Sequence, residues 1–242
     1  MMGTKPDAIV PFRKRGGASV AARTIGIEVG GLRALEASFT EPDFAASFDR
    51  LVETVAEARG RVIVAGMGKS GIIARKITAT LTSTGTPAMF LHPAEAGHGD
   101  LGMVTEDDIV LIITRSGETA EFAPIFSYCK RFGIKLVTIT TRGNSTAARA
   151  ADFFIRLPSV REACPIELTP TTSTTVQLVF GDALAIALMH RRGFSADDFY
   201  KFHPNGRLGA RLLRSATTAS SGVKRSRIRS PRAPSMASRD RK

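Results

Sequence analysis

Five short apolar runs, set among helical patterns, leave this chain few architectures. They are Arg61-Val-Ile-Val-Ala65, Ala88-Met-Phe-Leu91, Asp108-Ile-Val-Leu-Ile-Ile113, Lys135-Leu-Val-Thr-Ile139 and Asp152 to Leu157. Each is too short for a helix and rich in β-branched or aromatic residues, so each reads as a buried strand. Helical spacing marks Ser70 to Thr84, Glu118 to Phe132 and Thr172 to Arg192, with Gly133 and Gly193 as stops for the last two. A further short helix is expected at 145–150. Strands of this kind separated by helices predict an α/β fold: a three-layer, doubly wound parallel sheet covered on both faces. Upstream, Thr40-Glu-Pro-Asp43 divides an amphipathic stretch, predicting helices over 20–38 and 43–58 with Asp43 as a cap.

Charge matters here by where it lies. The net charge is +12 over 242 residues. Residues 215–242 hold eight Lys or Arg against Asp240, and residues 1–24 hold five against Asp7, so the body between is near neutral. The expected organisation is a flexible basic extension over 1–19, one domain over 20–214 and a disordered basic tail over 215–242. A nucleic-acid reading would rest on tails alone, and no Trp and only two Tyr are present for base stacking, so no specific nucleic-acid partner is expected. The N-terminus has no apolar signal core, and Asp182 interrupts the longest apolar run, so neither export nor a membrane span is expected. Two distant cysteines, Cys129 and Cys164, suit a reducing cytoplasm.

In a doubly wound sheet, ligands bind beyond the carboxyl ends of the strands. Three corners there carry suitable chemistry: Gly66-Met-Gly-Lys-Ser-Gly71, Thr114-Arg-Ser-Gly-Glu-Thr119 and Thr169-Pro-Thr-Thr-Ser-Thr-Thr175. Each combines hydroxyls with the free N–H groups of a helix start, a setting that favours a phosphate. The first corner matches G-x-G-x-x-G, yet no acid lies at the right distance for a dinucleotide ribose. A P-loop is excluded because Ile63 stands where its first glycine belongs. A glycine turn needed for packing alone is the plain alternative for that corner, and a helix cap is the plain alternative for the third.

Further motifs follow in order: His98-Gly-Asp-Leu-Gly-Met-Val104, Ser116-Gly-Glu118, Arg161-Glu-Ala-Cys-Pro165, Thr172-Ser-Thr-Thr175, Gly181-Asp-Ala-Leu184 and His203-Pro-Asn-Gly206. With the first glycine corner, this series resembles the arabinose-5-phosphate isomerases over about residues 20–213. The resemblance implies a sugar isomerase domain with a five-stranded parallel sheet. It implies interconversion of D-arabinose 5-phosphate and D-ribulose 5-phosphate, an early step toward 3-deoxy-D-manno-octulosonate for lipopolysaccharide, and a homotetramer with shared sites.

By the same resemblance, Glu162 is expected to take the C2 proton, with burial raising its carboxyl toward neutrality. Glu118 would move protons between hydroxyls or orient its loop, or it would simply sit at a helix start where an acid is favoured. His203 would open the sugar ring, from a neighbouring subunit if need be. Lys69 would stabilise developing charge. Gly68, Ser70, Ser116, Thr119, Ser173 and Thr174 would bind phosphate, and His98 would shape the pocket. Neither metal nor cofactor is expected, since His92, His98 and Asp100 match no standard zinc spacing. Cys164 reads as a small packing residue. The chain departs from the family at Arg115, where Asn is usual, at Asn205, where Gly is usual, and in ending on a basic tail where a pair of cystathionine-β-synthase-type modules usually follows. Arg115 would add a phosphate contact or crowd the site. A sugar-phosphate sensor without turnover, or another sugar-phosphate isomerase of the same fold, are the alternatives.

Overall fold

The computed structural model describes residues 16–203. The expected extension over 1–15 and everything from Pro204 onward, including Asn205 and the basic tail, lie outside the described residues. The elements run α1 (Gly17–Ser38), α2 (Pro42–Ala56), β1 (Val62–Gly66), α3 (Gly68–Ser83), β2 (Ala88–Leu91), α4 (Pro93–Ala96), β3 (Ile109–Ile113), α5 (Ala123–Phe132), β4 (Lys135–Thr140), α6 (Thr146–Ala150), β5 (Phe153–Arg156), α7 (Thr172–Arg192) and α8 (Ala196–Phe202). The five strands form one parallel sheet in the order β2-β1-β3-β4-β5. The expected α/β class and five-stranded sheet are found.

Period-two alternation along the strands builds two cores. Val62, Val64, Ile109, Leu111, Ile113, Val137, Ile139 and Ile155 point to one face, under α1, α2, α3 and α7. Ile63, Ala65, Val110, Ile112 and Leu136 point to the other, under α4 and α5. Burial on both faces is why the strands read as continuous apolar runs. The sheet is pinned below the site by Asp108, 1% exposed, which accepts bonds from the N–H and guanidinium of Arg61 and from the Thr105 N–H. Together these tie the entry of β3 to that of β1.

Three boundaries differ from expectation for identifiable reasons. Glu41, not Asp43, is the N-cap of α2, because Pro42 takes the first helical position, where its missing N–H costs nothing. The helix expected from Glu118 starts only at Ala123, after a 3-10 turn over Ala120–Phe122, with Pro124 again in its first turn. Helix α8 is an addition to the expected elements; Ser195 and Asp198 form a reciprocal capping box there. The expectation that no apolar stretch could span a membrane also needs qualifying. By length and composition α7 could do so, but half of its most apolar window is buried among the other helices, so it is a core helix.

Candidate active site

Helices α3 and α7 both leave the carboxyl edge of the sheet and run down the same face, so their N-termini open in the same direction. Gly181 sets their distance: a Cβ there would lie 2.3 Å from Cγ1 of Ile77. An ion pair between Lys76 and Asp182 closes the outer side. Seven residues before the Ile77–Gly181 contact on each helix, Ser70 lies level with Thr174. Two helix starts, each with unpaired N–H groups and hydroxyls, thus lie side by side.

The first corner is shaped by backbone contact. A Cβ at Gly71 would lie 2.5 Å from the Gly66 carbonyl oxygen, and Gly68 has φ +58°. The glycine spacing therefore serves a tight strand-to-helix turn, which is why it mimics a dinucleotide fingerprint. Gly68 and Lys69 are exposed or nearly so at the start of α3, with Ser70 half-buried beside them. In the second corner, Gly117 (φ +71°) passes so close to Ser145 that a Cβ would lie 2.1 Å from its Oγ. The Gly117 N–H donates to Thr114 Oγ1 and the Glu118 N–H to Ser116 Oγ. Thr119 precedes the 3-10 turn.

The third corner centres on Glu162, 2% exposed. Its Oε2 accepts from the Thr171 N–H (2.8 Å), the Thr171 hydroxyl (3.1 Å) and the Ser173 N–H (3.2 Å). Its Oε1 accepts from the Ser173 hydroxyl and lies 3.3 Å from Nη1 of Arg115. The carboxylate thus caps α7 from a distant loop, a function expected of the Ser/Thr cluster itself. Burial drives the Glu162 carboxyl upward, but the Ser173 hydroxyl, the two N–H groups and Arg115 outweigh it and hold the carboxyl below its ordinary range. The expected rise toward neutrality is therefore not found. Two expected phosphate hydroxyls are engaged internally: Ser173 with Glu162, and Thr174 with the Thr171 carbonyl (2.7 Å).

Glu118 is engaged too, but elsewhere. Its carboxylate accepts from the Thr146 N–H (3.1 Å) and hydroxyl (2.7 Å), capping α6. Those bonds, the hydroxyl's first, hold this exposed carboxyl below its usual range. Of the two acids in this loop, Glu121 is the exposed one left without a side-chain hydrogen bond among the described residues, and no motif marks it in the sequence. His98 is exposed just after α4. His203 ends α8, its Nδ1 2.9 Å from the Phe199 carbonyl oxygen and its ring stacked on Phe199. Its helix follows the far end of α7, about 30 Å of helix away from Ser173. Phe194, between α7 and α8, packs on Gly85 at the amino edge of β2. Within one protomer the fold brings together Lys69, Ser70, Ser116, Glu162, Ser173 and Thr174, but not His203.

Cys164 is no packing residue. The Thr169 N–H and hydroxyl, with N–H groups from Ile166 and Leu168, bring its thiol down to about 7 in an unburied loop. Cys129 is the buried thiol, pushed up to about 12 by burial and then by Asp152.

Comparison with known proteins agrees with this layout. Residues 54–187 match the SIS domain. The chain is 50% identical over 193 residues to the arabinose 5-phosphate isomerase KdsD of Pseudomonas aeruginosa, covering 80% of this chain and 58% of that protein. It is 51% identical over 166 residues to the arabinose 5-phosphate isomerase KpsF of Escherichia coli O6:H1 (strain CFT073), covering 69% of this chain and 51% of that one. The chain thus spans little more than half the length of the curated relatives it matches. The solved structure of E. coli CFT073 c3406, in complex with arabinose 5-phosphate, superposes with a TM-score of 0.72 at 39% identity, over 78% of this chain and 100% of that one. With the family match covering more than half of the sequence, and the sheet order and helix-start corners in place, this chain belongs to the SIS domain family.

Proposed function

We propose that this chain carries the site of an aldose–ketose isomerase acting on D-arabinose 5-phosphate and D-ribulose 5-phosphate. One observation carries the reading: a buried carboxylate, Glu162, sits at the mouth of α7 beside the parallel start of α3, which presents Lys69 and Ser70. A phosphate held by the N–H groups of α3, Ser70 and Ser116 anchors one end of the sugar. The reacting carbons are then confined near Glu162, which turns a bimolecular encounter into an intramolecular one. Glu162 removes the C2 proton of the open-chain aldose and returns it to C1 of the enediolate. Lys69 offsets the charge that develops on oxygen. Glu118 orients the second loop through α6, and His98 borders the site.

Self-association belongs to the same reading. Ile25 and Val29 on α1, Ile72 on α3, and Val179 and Ile186 on α7 are exposed, the most open being Ile72 at 67%. Apolar side chains on the outer helical layer support assembly with further copies, which would bring a neighbour's His203 to the site for ring opening. The tetramer, a cytoplasmic setting and a place in lipopolysaccharide precursor supply are carried over from the resemblance.

The test is incubation with arabinose 5-phosphate in deuterium oxide. Ribulose 5-phosphate carrying solvent deuterium at C1 is expected. Tight binding with neither product nor exchange would overturn the reading and leave a sugar-phosphate sensor.

A further inference from the structure

Arg115 is built as an arm on a fixed pivot. Its carbonyl oxygen accepts from the Thr140 hydroxyl (3.1 Å), the Thr141 hydroxyl (2.9 Å) and the Thr141 N–H (3.2 Å), so the backbone is tied to the end of β4. Its side chain is 44% exposed and reaches Glu162 across the mouth of α7. That contact, at 3.3 Å, is long for a charged pair, where about 2.7–2.9 Å is usual. It is also redundant for satisfying the carboxylate, which already has four donors from Thr171 and Ser173. A guanidinium prefers a planar fork to two free oxygens. The Glu162 oxygen cannot offer that, whereas a phosphate arriving between the two helix starts can.

We propose that Arg115 is an anion-recognition residue parked on Glu162 in the free protein, and that it swings onto the phosphate of a bound sugar phosphate, releasing Glu162. This rests on the reading that a sugar phosphate binds at these corners. The move would couple binding to base strength. The donors now around Glu162 favour its ionised form, which makes it a weak acceptor of a carbon-bound proton. Removing the one guanidinium paired with it lets burial raise the carboxyl. The other charged or titratable groups around this mouth are Lys69 on α3, the Cys164 thiol two residues on, Glu28 of α1 through Thr175 (3.2 Å), and Arg161, which is turned to Glu167 (3.0 Å). None of these is paired with Glu162 among the described residues, so Arg115 is the charge whose departure matters.

The test uses inorganic phosphate as probe and the carboxyl carbon signal of Glu162, assigned through Glu162→Gln. In wild type, saturating phosphate should raise the Glu162 midpoint through both the lost guanidinium and the arriving anion. In Arg115→Gln the free-protein midpoint should already be higher, and phosphate should raise it less. Phosphate affinity should fall roughly ten- to a hundredfold, the range for a hydrogen bond to a charged group. Arg115→Lys should keep part of the affinity without the fork. Equal phosphate-induced shifts in wild type and Arg115→Gln, or unchanged phosphate affinity, would overturn the proposal. If Arg115→Gln does not fold, the wild-type titration still decides, because a midpoint that phosphate leaves in place refutes the swing. Failure of the isomerase reading looks different: no turnover of arabinose 5-phosphate, while phosphate still shifts Glu162 through Arg115.

Discussion

Replacing Glu162 with Gln separates its observed task as a cap from its proposed task as a base. As a cap, Glu162 satisfies two N–H groups with Oε2 and the Ser173 hydroxyl with Oε1. A glutamine oriented with its carbonyl toward Thr171 and Ser173 keeps the first pair. The Ser173 hydroxyl can rotate to accept from the amide, so only the contact with Arg115 is lost. Because Arg115 is nearly half exposed, that loss costs well under about 1 kcal/mol. Alanine removes the cap altogether, at about 1–2 kcal/mol, or roughly 2–8 °C in Tm for a chain of this size. As a base, either substitution removes a contribution of about 10²–10⁴-fold. Glu162→Gln should therefore melt close to wild type yet lose solvent deuterium exchange by that factor, while Glu162→Ala loses both. Thermal unfolding with mass-spectrometric exchange reads both quantities on one sample. A Glu162→Gln protein keeping turnover within about threefold of wild type, far inside that range, would refute the assignment of the base. A Glu162→Ala protein with unchanged Tm would refute the capping argument.

Gly181→Val should separate α3 from α7. Ile77, 1% exposed and β-branched, cannot yield to a new side chain, so a loss of about 1–3 kcal/mol and misaligned helix starts are expected, read as a lower Tm with a raised KM. Asp108→Asn breaks a buried pair whose partner Arg61 is partly in water, so about 3 kcal/mol or less should be lost in urea unfolding. The Asp108 carboxyl is pushed up by burial but held below its ordinary range by the Arg61 and Thr105 bonds. Its stabilisation is thus present above the unfolded value of about 3.9 and fades as pH falls through the lower folded value, and wild type should lose more stability on acidification than Asp108→Asn. Cys164, with its thiol near 7, should be alkylated by iodoacetamide at neutral pH well before Cys129, and peptide mapping that finds equal rates would contradict the loop geometry.

What the sequence makes legible follows from the range of the interactions. The strands are legible because burial on both faces writes apolar runs directly into the chain, and Val62 to Gly66 or Ile109 to Ile113 could hardly be anything else. The three corners are legible because a parallel sheet must place its strand-to-helix turns on one edge. What stays hidden depends on partners distant in sequence. Glu118 reads as a helix start or a proton carrier, and only the fold reveals Thr146 as its partner, 28 residues on. Glu162 is expected to rise because burial is what an apolar neighbourhood announces, whereas the opposing donors come from a helix end that folding brings back beneath it. His203 illustrates the limit most sharply. Its motif is local, but α7 fixes it a helix length from Ser173, so its usefulness to the site is a property of assembly. A chain that forms the Glu162 cap as a monomer and gains turnover only on self-association would display that division directly. The phosphate corners belong to one fold unit and should bind anion in either state, while ring opening should appear only with the neighbour.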